Sequence, residues 1–212
     1  MPSVSCALFV SALFLSVNAF CGDNGGVELG WGTQAAADAN GENPSTVLGF
    51  SSSGPFDAAG NPILSVIATN AGFGSSYYAF EAFICGQYNP DSYPQTSFGA
   101  VITTASSEAC LTVSALESAN ATISLQPCVN DISSNPVPTQ MFQWVGTNYI
   151  TYGFAFIGNQ SVPVKYVATD YVPTLVDATD TTAAYIRLDY APGGLPPSTG
   201  LETGLILELS DD

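Results

Sequence analysis

The 212-residue chain has no histidine, and its only basic residues, Lys165 and Arg187, stand against 18 Asp and Glu. Without histidine, a Ser-His-Asp triad, a Cys-His pair and a His-ligated zinc are all excluded. Without bases, a phosphate backbone or an anionic headgroup finds nothing to pair with, and a net charge of −16 repels both. Neither nucleic acid nor a membrane surface is therefore an expected partner. Charge of any sign is scarce, at 9% of residues, and with too few bases to pair them most carboxylates must be solvated by water or bind cations. Relief of their mutual repulsion is expected to raise stability as pH falls from neutral toward the carboxylate range.

Long hydrophobic runs are missing too, with one exception. Val4 to Val17 carries no charge and leads into Val17-Asn18-Ala19. A short apolar core followed by small residues reads as a secretory signal peptide over 1–19, cleaved after Ala19. The run falls short of the roughly 20 residues that a membrane span needs. The acidic end Leu209-Ser210-Asp211-Asp212 does not fit a hydrophobic anchor signal. The expectation is a secreted, extracellular protein with a single domain over 20–212.

Helical periodicity is absent beyond two turns, and Gly32 to Ala39 is the only helix candidate. The 20 glycines and 14 prolines punctuate the backbone at short intervals. Strand patterns fill the space between. Val27 to Trp31 and Thr46 to Ser51 flank an Asn-Gly turn in Asp38 to Asn43. Ile63 to Thr69, Tyr77 to Cys85, Phe98 to Thr104, Leu111 to Val113, Ala121 to Leu125 and Met141 to Val145 follow. Tyr149 to Ile157, Val162 to Thr169, Ala183 to Tyr190 and Leu205 to Leu209 complete the series. Many short strands with turn residues between them indicate an all-β barrel or sandwich.

One stretch has a recognisable order: Ala109-Cys-Leu-Thr-Val113, then Asn120-Ala-Thr-Ile-Ser-Leu-Gln-Pro-Cys128, then Gln140-Met-Phe-Gln-Trp144. It resembles one repeat of the ricin B-type β-trefoil lectins, with their Cys-Leu-x-Val, Leu-x-x-Cys and Gln-x-Trp signatures. The resemblance implies a β-trefoil of three four-stranded repeats, with a β-sandwich as the runner-up. Setting Ile63-Leu-Ser-Val66 against Cys110 to Val113, Phe83-Ile-Cys85 against Gln126 to Cys128, and Gln95 to Phe98 against Gln140 to Phe142 gives a first repeat. Tyr185 to Leu188 set against Thr122 to Leu125 gives a third, with Ala191 in the place of the second cysteine.

Cys6 leaves with the signal, so Cys21, Cys85, Cys110 and Cys128 remain. An even count in a secreted chain argues for two disulfides, in any of three connectivities. Cys110–Cys128 is favoured because it joins the two strands of the motif, leaving Cys21–Cys85. There is no Cys-x-x-Cys spacing, and no metal or cofactor is expected. Asp38 to Asn43 offers oxygen ligands for calcium, but the spacing does not match a twelve-residue calcium loop and a hairpin turn explains the same residues.

The resemblance implies a sugar pocket on each repeat. An Asp two residues after the first cysteine accepts hydrogen bonds, and an aromatic two residues before the second cysteine stacks on the ring. An Asn precedes the Gln-x-Trp. The middle repeat has Thr112, Gln126 and Thr139 at those places, with Gln140, Phe142 and Trp144 in the Gln-x-Trp region as packing residues. The first repeat places Phe83 in the stacking role beside Glu81, with Tyr88 and Asn89 near it and Ser65 in place of the Asp. The third has Asp189 in the aromatic place. The implied function is a non-catalytic carbohydrate- or cell-wall-binding module. The alternative is a degenerate trefoil contacting an extracellular protein, or acting as a structural or effector protein. A glycosidase built on a carboxylate pair, Asp177 with Asp180 or Asp38 with Glu42, is a weaker alternative. Asn120-Ala-Thr and Asn159-Gln-Ser are glycosylation sequons.

Overall fold

A computed structural model of the chain describes residues 21–33, 46–67, 80–88, 95–104, 106–146, 151–159, 169–179, 183–193 and 203–209. The architecture is all-β and antiparallel. The strands are β1 (Gly22–Gly32), β2 (Val47–Gly49), β3 (Ser65–Val66), β4 (Phe80–Tyr88), β5 (Gln95–Thr103) and β6 (Ser106–Val113). After these come β7 (Ala121–Pro127), β8 (Phe142–Gly146), β9 (Thr151–Phe156), β10 (Tyr171–Val176), β11 (Tyr185–Tyr190) and β12 (Gly204–Leu209). The only helical segment among the described residues is the 3-10 turn Pro138–Gln140, ahead of β8. The candidate helix Gly32 to Ala39 lies largely outside the described residues, as does the candidate strand Val162 to Thr169.

Six strands close on themselves. β1 pairs with β4, β4 with β5, β5 with β8, β8 with β9, β9 with β12, and β12 returns to β1. The remaining six form three hairpins, β2–β3, β6–β7 and β10–β11, one inserted after every odd turn of the ring. A closed ring leaves no open sheet edge, which removes the usual route to edge-to-edge aggregation. Inward-pointing side chains fill it. Val27 and Leu29 of β1, Phe80 and Ala82 of β4, Phe142 and Trp144 of β8 and Leu205 and Leu207 of β12 belong to one buried cluster. They alternate with outward residues, as the two-residue period of a strand requires.

The hairpins meet one another as well. The Leu64 N–H donates to the Ile123 carbonyl at 2.8 Å and the Ile186 N–H to the Leu64 carbonyl at 3.0 Å, while Leu188 pairs with Ala121. Leu64, Ile123 and Ile186 are fully buried there, one from each hairpin. Burial of each such side chain stabilises by roughly 1.5–3 kcal/mol.

This junction corrects the repeat alignment drawn from sequence. Ile63 to Val66 corresponds to Thr122 to Leu125, not to Cys110 to Val113, because it supplies the second strand of its hairpin. Tyr185 to Leu188 does match Thr122 to Leu125, as expected. Phe83 to Cys85 lies on the ring strand β4, and Gln95 to Phe98 on the ring strand β5, so neither is a counterpart of the hairpin or of Gln140 to Phe142. Both disulfides form as Cys21–Cys85 and Cys110–Cys128. The first ties the start of β1 to β4, and the second staples the open end of the β6–β7 hairpin. No helix among the described residues is long and apolar enough to cross a membrane.

Candidate functional site

Strand register shows where the pocket places implied by the ricin B-type resemblance fall on the three hairpins. Thr112 stands opposite Ser124 in the second hairpin, Gly49 opposite Ser65 in the first, and Thr174 opposite Arg187 in the third. These three residues occupy the carboxylate place. The stacking place, two positions beyond the opposite residue, holds Ile67, Gln126 and Asp189. None of the hairpins therefore carries the acceptor–aromatic pair.

Each place is also filled from within. The Ile67 side chain comes within 3.2 Å of where a Cβ on Gly49 would lie, so the first hairpin closes over its own notch. In the second, buried Thr112 donates to the Cys110 carbonyl at 3.1 Å and accepts from Gln140 Nε2 at 2.9 Å. Gln140 Nε2 also donates to the Pro127 carbonyl, and its Oε1 accepts from the Val129 N–H. Gln126 Nε2 is engaged by Ser124 Oγ at 2.8 Å. Thr139 is half-buried at the 3-10 turn. In the third hairpin Arg187 pairs with Asp189 at 2.8 Å. The N–H of Asn120 is the leading cause holding the Asp189 carboxyl below its usual range, and Arg187 adds to it.

The aromatic residues of the Gln-x-Trp region lie in the core. Phe142 stacks on Phe154 with ring centroids 5.0 Å apart, and Trp144 is buried beside them in the same cluster. Such offset contacts add about 0.5–1.5 kcal/mol beyond area burial.

Phe83 and Glu81 present a different arrangement. Their neighbours on β4, Phe80 and Ala82, point into the ring, so Glu81 and Phe83 share its outer face, and both are half-buried. Phe83 stands opposite Asp23 on β1 and opposite Ala100 on β5, while Glu81 stands opposite Gly26 and Ile102. Directly opposite residues of an antiparallel pair share a face, which brings exposed Asp23 alongside the ring of Phe83.

Bulges bracket this spot: one on β1 between Asp23 and Gly26, one on β4 between Ile84 and Gly86. On β1, Gly25 takes φ +91°, and its N–H donates to Asp23 Oδ1 at 2.7 Å, which turns the carboxylate over the bulge. The Cys21–Cys85 bridge pins both strands at the same end. Asp23 was not singled out from sequence, where the first strand reads only from Val27. Tyr88 is the last residue of β4, but its side chain, like all of Asn89, lies outside the described residues.

Of the carboxylate pairs considered for hydrolysis, only one member falls among the described residues. Asp177 is exposed just beyond β10, and Asp180, Asp38 and Glu42 lie outside the described residues. No group of three or more His, Cys, Asp or Glu arranged to hold a metal occurs among the described residues. No family model, no curated protein and no solved structure matches the chain.

Proposed function

We propose that the protein is a secreted, non-catalytic β-trefoil module of the ricin B type. In this reading it binds carbohydrate on the outer face of β1 and β4, not in the hairpin pockets. A ring of six strands carrying three hairpins, in this chain order, is the connectivity a β-trefoil requires, which supports the fold. The sugar contact rests on one observation: a half-buried Phe83 standing between Asp23 and Glu81 on one outward face. An apolar ring face with carboxylate acceptors beside it suits a pyranose, which offers C–H groups on one side and hydroxyls at its rim. Fold analogy alone would not justify this reading.

The test is a glycan and polysaccharide binding screen on the oxidised protein, with Phe83→Ala and Glu81→Gln alongside. Loss of the stacking surface is expected to weaken binding by about tenfold, or about 1.4 kcal/mol. A folded wild-type sample that binds no glycan would sink this reading. A second reading then stands, that of an extracellular scaffold for protein contact. It is favoured by the six hairpin positions, which hold Gly49, Thr112, Thr174, Ile67, Gln126 and Asp189 where a lectin needs acids and aromatics.

A further inference from the structure

We propose that Asn120 carries an N-linked glycan, and that this glycan covers the Asp189 corner, shutting the third hairpin off from any external ligand. The inference rests on the secretory route of the preceding reading, but not on sugar binding. Asn120 heads the sequon Asn120-Ala-Thr122 and sits at the tip of the β6–β7 hairpin with its side chain exposed. It has φ +62°, the left-handed region that an asparagine tolerates better than most residues and that swings a turn side chain away from the sheet.

Everything around Asn120 except its carboxamide is tied down. Its own N–H donates to Asp189 Oδ1 at 2.9 Å. The Glu117 N–H donates to the Tyr171 hydroxyl, and the Tyr190 N–H to the Ser118 carbonyl. Ala121 and Thr122 pair with Leu188 and Arg187. The carboxamide itself has no partner among the described residues, so modification breaks no native hydrogen bond. A rigid turn thus holds an unengaged acceptor amide in solvent, directly beside the stacking place of the third hairpin.

The chemistry requires a lipid-linked pyrophosphoryl oligosaccharide, met in the secretory pathway. The Asn120 amide nitrogen loses a proton and bonds to the anomeric carbon of the oligosaccharide. The bond from that carbon to the pyrophosphate oxygen breaks, and the lipid pyrophosphate leaves with the electron pair. Thr122 supplies the hydroxyl that the sequon demands.

The full chain would be produced in a eukaryotic secretory host, and peptides from medium and cells analysed by mass before and after enzymatic deglycosylation. A glycan on the Asn120 peptide, kept in Thr122→Ser and lost in both Thr122→Val and Asn120→Gln, is the expected result. Hydroxyl-radical labelling of Val172, directly opposite Asp189 on β10 and on the same face, should be lower in the glycosylated protein than in Thr122→Val. An exported protein with bare Asn120 overturns the glycan and leaves the secretory reading intact. Failure of export overturns both. Equal labelling of Val172 with the glycan present overturns the covering role.

Discussion

Gln140 and Thr112 meet between the second hairpin and the ring, Nε2 to Oγ1 at 2.9 Å, and Gln140 has no exposed surface to speak of. On the proposed ricin B-type reading, the contact occupies the place where such a repeat would offer its carboxylate to a sugar. Thr112→Asp therefore buries a charge with no base beside it among the described residues, and should destabilise by several kcal/mol without creating sugar binding. Thr112→Val removes one of three bonds to Gln140 and should cost about 1 kcal/mol. Denaturant melts of the two variants, with a glycan-binding screen, check both. Sugar binding by Thr112→Asp would show that the notch opens and that the pocket had been lost by a single residue.

The two disulfides close loops of unequal length, with sequence separations of 18 for Cys110–Cys128 and 64 for Cys21–Cys85. Chain entropy then gives about 3 kcal/mol for the first and about 4 kcal/mol for the second. Urea midpoints of the Cys110→Ala/Cys128→Ala and Cys21→Ala/Cys85→Ala double variants should rank in that order. The second variant also frees the N-terminal end of β1 beside Phe83, so glycan affinity should fall with it more than with the first.

Gly99 is fixed by proximity. A Cβ there would lie 1.7 Å from the Phe83 carbonyl oxygen, which is backbone and cannot swing aside, while a Cβ on Gly204 meets nothing within 4 Å. Gly99→Ala should cost about 3 kcal/mol or more, because β4 and β5 must separate at the bulge. Gly204→Ala should stay within about 0.5 kcal/mol of the wild type. Equal thermal midpoints for the two would contradict the close approach of these strands.

Most strands were legible, because each needs only a few alternating residues. β10 was not. Tyr171-Val-Pro-Thr-Leu-Val carries a proline, which normally argues against a strand. It is tolerated here because, among the described residues, β10 pairs on one side only, with β11. The repeat register was also hidden, for a related reason. Ile63-Leu-Ser-Val66 and Cys110-Leu-Thr-Val113 have the same alternation, and only pairing partners tell the first strand of a hairpin from the second. Leu64, Ile123 and Ile186 are three unremarkable aliphatics until their backbone bonds bring them together. The disulfide pairing was readable because four cysteines leave few choices. Asp23 was not, since the bulge that sets it opposite Phe83 depends on a positive φ at Gly25 that a Gly-Gly pair only permits.

The acid side of the protein gives a two-limbed pH profile. Glu28 is half-buried on β1, opposite Glu208 on β12, at the seam where first and last strands close the ring. Burial raises its pKa above the ordinary 4.5. The folded state then holds this proton at pH values where the unfolded chain has released it. Stability consequently falls as pH rises through the folded value and is fully recovered near 4.5. Asp57 and Asp189 act in the opposite sense. Burial pushes Asp57 up, but hydrogen bonds from the Asn61 side chain and backbone, from Ala59 N–H and from Ser124 outweigh it and hold its pKa below 3.8. The Asn120 N–H and Arg187 do the same for Asp189. Their contribution is complete above 3.8 and disappears as pH falls through the lowered values. The melting temperature should climb from pH 7 to about pH 4.5 and drop again below 3.8. Glu28→Gln should flatten the upper limb and leave the lower one in place, whereas Asp57→Asn should soften the lower limb alone. A profile of the wild type that is flat from pH 7 to 4.5 would show that the seam carboxylate is solvated after all.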